Sequence, residues 1–363
     1  MEFKILRKWL SPVLYPASLL YGLVTGIRNY LFNKGYFKIE SFRFPVISVG
    51  NITAGGTGKT PHVEYLMSLL SEKYSVAILS RGYKRRTSGF VLAGDNSTPK
   101  EIGDEPYQMF LRKKASVAVC EDRAKGISIL IDKIKNLQCI ILDDAYQHRK
   151  VKPGLSVLLV DYNRPIYNDK LLPYGDLREN VKGLKRADIV VVSKIPLEVE
   201  TIDKFEWIKK LGVSADQLIY FTKFSYGMLT PVFESNTEHP SLEEIKKSKC
   251  SILLLTGIAN PENLYNELLK WGCSINHLRY PDHHDYSRYD MDVINTKFRL
   301  MPKKRIIITT EKDAVKMRQL TRIDDETKRQ SYYLPVTVEF MLGKTEEFNQ
   351  VIFNYVEKNK RGR

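Results

Sequence analysis

A glycine-rich segment has the residue types and spacing that bind a chain of phosphates. It covers residues 51–58, after an apolar run at 45–49 and before a helical pattern that begins at Lys59. Backbone N–H groups of such a loop can surround phosphates, the Lys59 ammonium can reach the β- and γ-phosphates, and the Thr60 hydroxyl can hold Mg²⁺. The residues predicted to bind ATP are Thr53, Ala54, Gly55, Gly56, Thr57, Gly58, Lys59 and Thr60.

One position departs from the general phosphate-loop pattern GxxxxGK(S/T). Thr53 stands where that pattern has its first glycine, so a residue with a Cβ must make the opening turn. The alternative is a glycine-rich turn followed by a chance Lys-Thr pair. The strand pattern before the loop and the helix pattern after it favour nucleotide binding.

A pair of acids follows a second apolar run. Asp143 and Asp144 come directly after residues 139–142, the arrangement by which a strand-end carboxylate reaches the Mg²⁺ of a bound nucleotide. We predict that Thr60 and these two acids form the metal site. The alternative is that the acids only cap the following turn. Gln147 and His148 come next, and either could orient a phosphate or a substrate hydroxyl, although a histidine in such a place is as often structural.

A second acidic pair offers a general base. Asp104 and Glu105 lie between Gly103 and Pro106, where a helix can begin. Acids in that position are usually first-turn helix residues. Phosphoryl transfer to an alcohol needs a group that accepts the hydroxyl proton, however, and a carboxylate near the phosphates can do this. Asp104 is therefore the candidate base.

The elements that must position these residues follow an α/β pattern. The chain has 363 residues, of which 43% are hydrophobic, so it can bury a large core. Short apolar runs alternate with helical patterns, which predicts mainly parallel sheets. Runs in the first half are followed by a polar connector, residues 163–183, and by a second series at 188–192, 218–222, 251–255 and 305–309. This organisation predicts two α/β domains.

Charge and cysteine usage limit the partners. The formal net charge is +15, which favours anionic partners: phosphates, nucleic acid or an acidic membrane surface. The four cysteines form no CxxC pair, which argues against structural zinc and for a reducing compartment.

The N-terminal segment has the composition of a membrane-surface helix. Residues 9–27 carry no charge, and Lys8 and Arg28 flank them. Proline, glycine and hydroxyl residues lower the hydropathy, and Trp9, Tyr15 and other aromatic residues are of the kind that settle at headgroup depth. We predict an interfacial segment, with an ordinary buried helix as the alternative. A small-residue cleavage site is lacking, which argues against a signal peptide.

Taken together, these motifs closely resemble the tetraacyldisaccharide 4'-kinase family. The resemblance covers nearly the whole chain, with mild departures at Ala145 and Tyr146, where the family more often has Gly and Phe. The matching blocks are residues 49–61, 79–83, 103–106, 143–148, 177–179, 256–261, 281–284 and 310–313.

The resemblance implies an activity and adds residues to the site. The activity is transfer of the γ-phosphate of ATP, with Mg²⁺, to the 4'-hydroxyl of a tetraacylated disaccharide 1-phosphate in lipid A biosynthesis. In the family the base is paired with a histidine, which corresponds here to His283, with His284 the second choice. Arg81 and Arg178 correspond to positions that face phosphate or lipid headgroup, although a salt bridge is a reasonable alternative for each.

The resemblance also implies an architecture and a location. The expected fold is an α/β, P-loop NTPase-like parallel-sheet core with a second α/β lid domain. Expected boundaries are 1–28 for the membrane-associating segment, 29–162 for the core, 163–330 for the lid, and 331–363 for a C-terminal segment that returns to the core. The expected location is peripheral, on the cytoplasmic face of the inner membrane. We expect an acylated disaccharide phosphate as substrate, with neither nucleic acid nor an obligate protein partner.

Two other classes compete with this interpretation. A metal-chaperone-type GTPase would need an (N/T)KxD motif, and the nearest candidate, residues 192–196, lacks the aspartate. A non-enzymatic basic tether would leave Lys59, Thr60 and the strand-end acids unexplained. Labelling of a lipid by ATP or GTP would discriminate among the three.

Overall fold

The computed structural model describes residues 7, 9–236, 240–320 and 322–360. Its internal contacts divide the chain into two compact units. Unit 1 comprises Met1–Ser225 and Val338–Arg363, and unit 2 comprises Tyr226–Thr337.

Unit 1 is an α/β sandwich, as expected. Its helices are α1 (Ser11–Asn33), α2 (Lys59–Ser71), α3 (Pro99–Ile102), α4 (Asp104–Leu111), α5 (Arg123–Lys133), α6 (Lys204–Leu211) and α12 (Thr345–Asn359). Its strands are β1 (Glu40–Ser41), β2 (Val46–Gly50), β3 (Val76–Ser80), β4 (Val91–Leu92), β5 (Ser116–Val119), β6 (Cys139–Asp143), β7 (Val151–Lys152), β8 (Leu155–Asp161), β9 (Ile189–Ile195), β10 (Leu218–Tyr226) and β16 (Val336–Phe340).

In the described residues, the main sheet of unit 1 has nine strands in the order β16-β10-β9-β8-β2-β6-β3-β5-β4. The pairs from β10 to β5 are parallel, and β4 is antiparallel to β5. Strand β2 lies between β6 and β8, and Val49 is in register with Asp143. This register brings the carboxyl end of β2 beside the two strand-end acids.

Helices cover the sheet because both of its faces are apolar. Side chains of α2 and α12 pack in one buried cluster, which includes Leu66, Met67, Phe348 and Ile352. Ile127 of α5 belongs to a different cluster. The C-terminal helix thus packs in unit 1, although unit 2 precedes it in the sequence.

The division of the chain differs from the boundary predicted at residue 163. Strands β9 and β10 continue the sheet of unit 1, because β9 pairs with β8 and β10 pairs with β9. The contacts therefore place the division at residue 226. An apolar run predicts a buried strand but does not say which sheet it joins, so the polar connector at 163–183 looked like a domain boundary.

Unit 2 is a second α/β sandwich. Its strands are β11 (Thr230–Pro231), β12 (Ser251–Thr256), β13 (Ser274–Arg279), β14 (Arg305–Thr310) and β15 (Ser331–Leu334), and its helices are α7 (Leu242–Ser248), α8 (Glu262–Leu269), α9 (Arg288–Leu300), α10 (Glu311–Met317) and α11 (Asp325–Arg329). Within the described residues the sheet order is β11-β15-β14-β12-β13, parallel except at β11.

Helix α1 has an exposed apolar face. Leu19, Leu20, Leu23 and Val24 are each about 60% exposed, whereas Ser18 and Phe32 are buried. Of the predicted membrane-associating segment 1–28, residues 1–6 and 8 lie outside the described residues. No helix in the described ranges combines the length and the hydropathy needed to span a bilayer.

Candidate active site

The glycine-rich loop connects β2 to α2 and is held at both ends. Gly58 is the N-cap of α2 and has a φ of +86°, and a Cβ there would overlap the Phe224 ring. At the start of the loop, Thr53 forms a bridge with Leu177, and the Ala54 N–H donates to the Asp176 carbonyl at 2.6 Å. The opening turn is therefore held by segment 176–178, which explains how a threonine serves where the general pattern has glycine.

Lys59 begins α2 and lies beside a carboxylate. Its Nζ donates to Asn51 Oδ1 at 3.4 Å and is 3.7 Å from Asp144 Oδ1. Burial raises the pKa of Asp144, but the Lys59 and Arg178 cations outweigh burial and hold that pKa below its ordinary value. Asp144 is therefore ionised at neutral pH, and the predicted lysine and acid are neighbours.

Asp143 has a different environment, although it is adjacent in sequence. Its Oδ2 accepts a hydrogen bond from Ser80 Oγ at 3.0 Å, and its Oδ1 has no hydrogen-bond partner among the described residues. Burial, together with the Glu105 and Asp144 carboxylates, raises the pKa of Asp143 to about 7. A buried carboxylate with a free oxygen and acidic neighbours is a suitable ligand for a hard cation such as Mg²⁺. The residues present therefore fit the predicted metal.

No group of three or more His, Cys, Asp or Glu side chains in the described ranges forms a metal cage by itself. This agrees with the usual mode of Mg²⁺ binding at phosphates, in which the protein supplies one or two carboxylates and the phosphates supply further oxygens.

Arg178 forms a two-point ion pair with Asp144. Its two terminal nitrogens donate to the carboxylate at 3.2 and 2.9 Å, and one of them also donates to Asn51 Oδ1. Gln147 lies nearby, because its Nε2 donates to the Asn51 carbonyl at 2.7 Å and to Glu179 Oε1 at 3.1 Å. Two of the predicted substrate residues are thus joined to the phosphate loop through Asn51.

Helix α1 is bonded to the same residues. Tyr21 Oη donates to the Arg178 carbonyl at 2.8 Å, Arg28 donates to the Gln147 carbonyl at 2.8 Å, and Asn29 donates to Glu179 at 3.3 Å. The predicted membrane segment is therefore also a structural part of this site, which the sequence did not indicate.

His148 and Arg81 both lie near Arg123. The Nε2 of His148 accepts a hydrogen bond from the Arg123 N–H at 3.3 Å, and burial and the Arg123 cation lower the pKa of His148 to about 4. His148 is therefore neutral at physiological pH, so it can contact a phosphate or a hydroxyl through a hydrogen bond but not through a positive charge. Arg81 follows β3 and is exposed. The pKa of Arg123 is lowered mainly by burial, and the Arg81 cation lowers it further.

Asp104 is the first residue of α4, where a helix-start acid was the alternative interpretation. Its neighbour Glu105 is one of the carboxylates that raise the pKa of Asp143. The motif therefore places a carboxylate close enough to Asp143 to affect its pKa, which the sequence did not indicate for Glu105.

His283 is in unit 2, on the loop after β13. It has a φ of +60°, its N–H donates to the Gly257 carbonyl at 3.1 Å, and its Nε2 is 3.0 Å from Lys312 Nζ. The adjacent His284 stacks on Tyr280 and pairs with Asp290 at 3.0 Å. Two predicted motifs, residues 281–284 and 310–313, thus meet inside unit 2.

Comparison with known proteins decides the family. A model of the tetraacyldisaccharide-1-P 4'-kinase family matches residues 10–357. The chain belongs to this family. The resemblance inferred from the motifs is therefore confirmed.

Two curated tetraacyldisaccharide 4'-kinases are similar to this chain over nearly its full length. The tetraacyldisaccharide 4'-kinase of Bacteroides thetaiotaomicron is 44% identical over 99% of this chain and 96% of its own length. The tetraacyldisaccharide 4'-kinase of Phocaeicola vulgatus is 46% identical over 98% of this chain and 97% of its own length. A crystal structure of LpxK from Aquifex aeolicus in complex with ATP is 30% identical, with a TM-score of 0.74, and covers 97% of this chain and 99% of that one.

Proposed function

We propose that this chain is a tetraacyldisaccharide 4'-kinase of lipid A biosynthesis, which transfers the γ-phosphate of ATP to the 4'-hydroxyl of a tetraacyldisaccharide 1-phosphate. Family membership and relatives that match over nearly the full chain support this activity. The observation that carries it is local. Lys59, at the start of a helix after a glycine-rich loop, lies 3.7 Å from Asp144 at the end of the adjoining strand.

The roles of the residues follow from their chemistry. The loop N–H groups and the positive end of α2 bind the phosphates, and the Lys59 ammonium offsets charge on the β- and γ-phosphates. Asp104 accepts the proton of the 4'-hydroxyl, and His283 is the second catalytic residue that the family resemblance implies. Arg178, Gln147, His148 and Arg81 orient the phosphorylated sugar. Arg178 is suited to this because its planar fork binds phosphate oxygens at two points.

The residues that would hold Mg²⁺ are Asp143, Asp144 and Thr60. When bound, the cation would neutralise charge on the nucleotide phosphates. Asp143 supports this assignment because its buried carboxylate has acidic neighbours and a free oxygen within the described part of the chain.

We also propose that the enzyme binds peripherally to the cytoplasmic face of the inner membrane through α1. The lipid substrate resides in a bilayer, and α1 exposes Leu19, Leu20, Leu23 and Val24. Apolar side chains on one exposed helix face, with cations such as Arg28 nearby, favour an anionic bilayer surface.

The experiment is a transfer assay with the full chain. The purified protein is mixed with γ-labelled ATP, Mg²⁺ and tetraacyldisaccharide 1-phosphate in detergent micelles, and labelled lipid is separated from free phosphate. We expect label in the lipid with ATP, and none with a lipid that already carries a 4'-phosphate. Release of labelled inorganic phosphate without labelled lipid would contradict the proposal, and a preference for GTP would favour the GTPase alternative.

A further inference from the structure

The segment that fails as a guanine-binding motif contacts the phosphate loop. Residues 192–196 have the sequence Val-Ser-Lys-Ile-Pro, and Ser193 and Lys194 lie near the carboxyl end of β9. The register between β9 and β10 shifts after Val192, so β9 carries an extra residue there. Lys194 has a φ of +62°. A bulge of this kind changes the direction of a side chain, and a positive φ is uncommon for a residue other than glycine.

Two consecutive carbonyls of the loop accept hydrogen bonds from this bulge. Lys194 Nζ donates to the Gly56 carbonyl, and Ser193 Oγ donates to the Thr57 carbonyl at 2.8 Å. Lys194 also pairs with the buried Asp161 carboxylate at 3.1 Å. The Lys194 side chain is only 14% exposed and Asp161 is buried, so the ion pair between them is shielded from water and is stronger than the same pair on the surface.

The direction of these carbonyls determines the direction of the amides. In a trans peptide plane the C=O and the following N–H point in opposite directions. Both planes here are trans, because the only cis peptide of the described residues is Leu172–Pro173. When the Gly56 and Thr57 carbonyls point toward β9, the N–H groups of Thr57 and Gly58 point away from it. These amides belong to the part of the loop that binds phosphates in such motifs.

We propose that Ser193 and Lys194 are positioning residues that hold the phosphate loop in its binding conformation before the nucleotide arrives. The proposal rests on ATP binding by residues 51–58. It assigns a purpose to the buried ion pair: Asp161 keeps the Lys194 ammonium directed at the Gly56 carbonyl. Burial lowers the pKa of Lys194, and the Asp161 carboxylate opposes that change. Arg164 also faces Asp161, at 3.8 Å.

The test compares nucleotides that differ only in their phosphates. Binding of ATP, ADP and AMP to the full chain is measured by calorimetry with Mg²⁺, for the wild type and for Lys194→Met, Ser193→Ala and Lys194→Arg. Hydrogen bonds to charged groups are the stronger ones, so Lys194→Met should weaken ATP and ADP binding roughly 10- to 100-fold. Ser193→Ala should weaken it roughly 3- to 10-fold. AMP, which lacks the β- and γ-phosphates, should change less than about 2-fold, and Lys194→Arg should recover most of the ATP affinity.

Two controls separate positioning from loss of folding. Lys194→Met leaves Asp161 without its lysine, so the double variant Asp161→Asn, Lys194→Met removes the same donor without an unpaired charge and should show the same loss of ATP affinity. Lys135→Met removes an exposed lysine and should change nothing. Thermal melting without nucleotide identifies variants that unfold, and only variants that melt with the wild type are interpreted.

The proposal also predicts how the kinetic constants divide. Removal of a positioning group for the loop should raise KM for ATP and leave kcat at saturating ATP within about 3-fold. An equal loss of AMP affinity would mean that Lys194 binds the nucleoside, and a large fall in kcat would mean that it touches the transferred phosphoryl group. Unchanged ATP affinity in Lys194→Met would also overturn the proposal. If the wild type binds ATP no better than AMP, the nucleotide site itself is assigned wrongly.

Discussion

Lys312 Nζ lies 3.0 Å from Nε2 of His283, and both side chains belong to unit 2. A charged lysine can only donate, so this contact makes Nε2 the acceptor and places the proton of the neutral ring on Nδ1. Lys312 also lies 3.5 Å from Asp282, which helps to hold the ammonium in place. The two motifs that contain these residues, far apart in sequence, thus define the tautomer of the predicted catalytic histidine.

The first prediction concerns this tautomer. Replacement of Lys312 by methionine removes the donor, so the Nδ1–H form should lose population, and kcat should fall roughly 10-fold or more if the ring takes part in proton transfer. Lys312→Arg keeps a cationic donor and should retain most of the Nδ1–H population and most of kcat. Nitrogen-15 spectra of labelled protein report the tautomer independently of turnover. An unchanged tautomer in Lys312→Met would contradict the assignment.

The second prediction is that Asp104 and His283 contribute to the same catalytic function. General base catalysis contributes about 10²- to 10⁴-fold, so Asp104→Ala and His283→Ala should each lower kcat by that order with little change in ATP affinity. The double variant should be barely slower than either single variant, because loss of one residue of the pair already removes their shared function. Rates are normalised to folded protein by thermal melting. Additive losses in log kcat would refute the pairing, and nearly normal kcat in the folded fraction would favour purely structural roles.

The third prediction concerns Lys59. Lys59→Ala should lower kcat by at least about 10²- to 10³-fold, because a preorganised donor beside the transferred group is lost. Thr60→Ala should instead increase the Mg²⁺ concentration needed for half-maximal activity. Titration of activity with Mg²⁺ separates the two effects. Wild-type turnover in Lys59→Ala would exclude the loop as the catalytic phosphate site.

The fourth prediction is a pH dependence of stability. Burial and the Glu105 and Asp144 carboxylates raise the pKa of Asp143 to about 7 in the folded chain, against an ordinary value of 3.8. The folded state therefore binds this proton more tightly than the unfolded state. The contribution of Asp143 to the free energy of unfolding should fall as the pH rises from about 4 to about 7, by at most about 1.4 kcal/mol per unit.

Asp143→Asn should remove this dependence and stabilise the metal-free protein at pH 8. Urea unfolding between pH 5 and 8 in a chelator measures the effect. Asp132→Asn, at an exposed position of α5, is the matched control and should unfold in parallel with the wild type at every pH. The assignment fails if Asp143→Asn also parallels the wild type.

The fifth prediction concerns the exposed face of α1. A fully buried leucine contributes about 1.5–3 kcal/mol, so Leu19→Ser with Leu23→Ser should weaken partition onto anionic vesicles by roughly 10²-fold or more. Leu300→Ser, at another leucine that is 81% exposed, is the control and should float with vesicles as the wild type does. Calorimetric ATP affinity should be the same in all three proteins. Full flotation of the double variant would place the membrane contact elsewhere.

Local patterns in the sequence predicted much of the fold. The loop at 51–58 and the acids at 143–144 were recognised from their immediate neighbours, because a strand, a turn and a helix are short-range features. Strands β2 and β6 lie within one residue of the predicted runs at 45–49 and 139–142, whereas the two-residue strands β1, β4 and β7 were not predicted. Strand β13, Ser-Ile-Asn-His-Leu-Arg, was missed because four of its six residues are polar and it forms an edge of its sheet.

Contacts between distant segments could not be predicted in the same way. Ser80 reaches Asp143 only because β3 lies beside β6, and Lys194 reaches Gly56 only through a bulge in β9. Spacing along the chain does not specify which strands are neighbours, so it could not assign β9 and β10 to the first sheet.

The hydrogen bonds from α1 to the Arg178 and Gln147 carbonyls matter for anyone who shortens the protein to make it easier to handle. Removal of residues 7–33 would take away the Tyr21, Arg28 and Asn29 donors. Asn29 is a partner of Glu179, which is only 3% exposed in the intact chain. A truncated enzyme with low activity would therefore report damage to sugar recognition as much as loss of lipid contact. Inhibitor screens should keep the helix and change only its outward leucines.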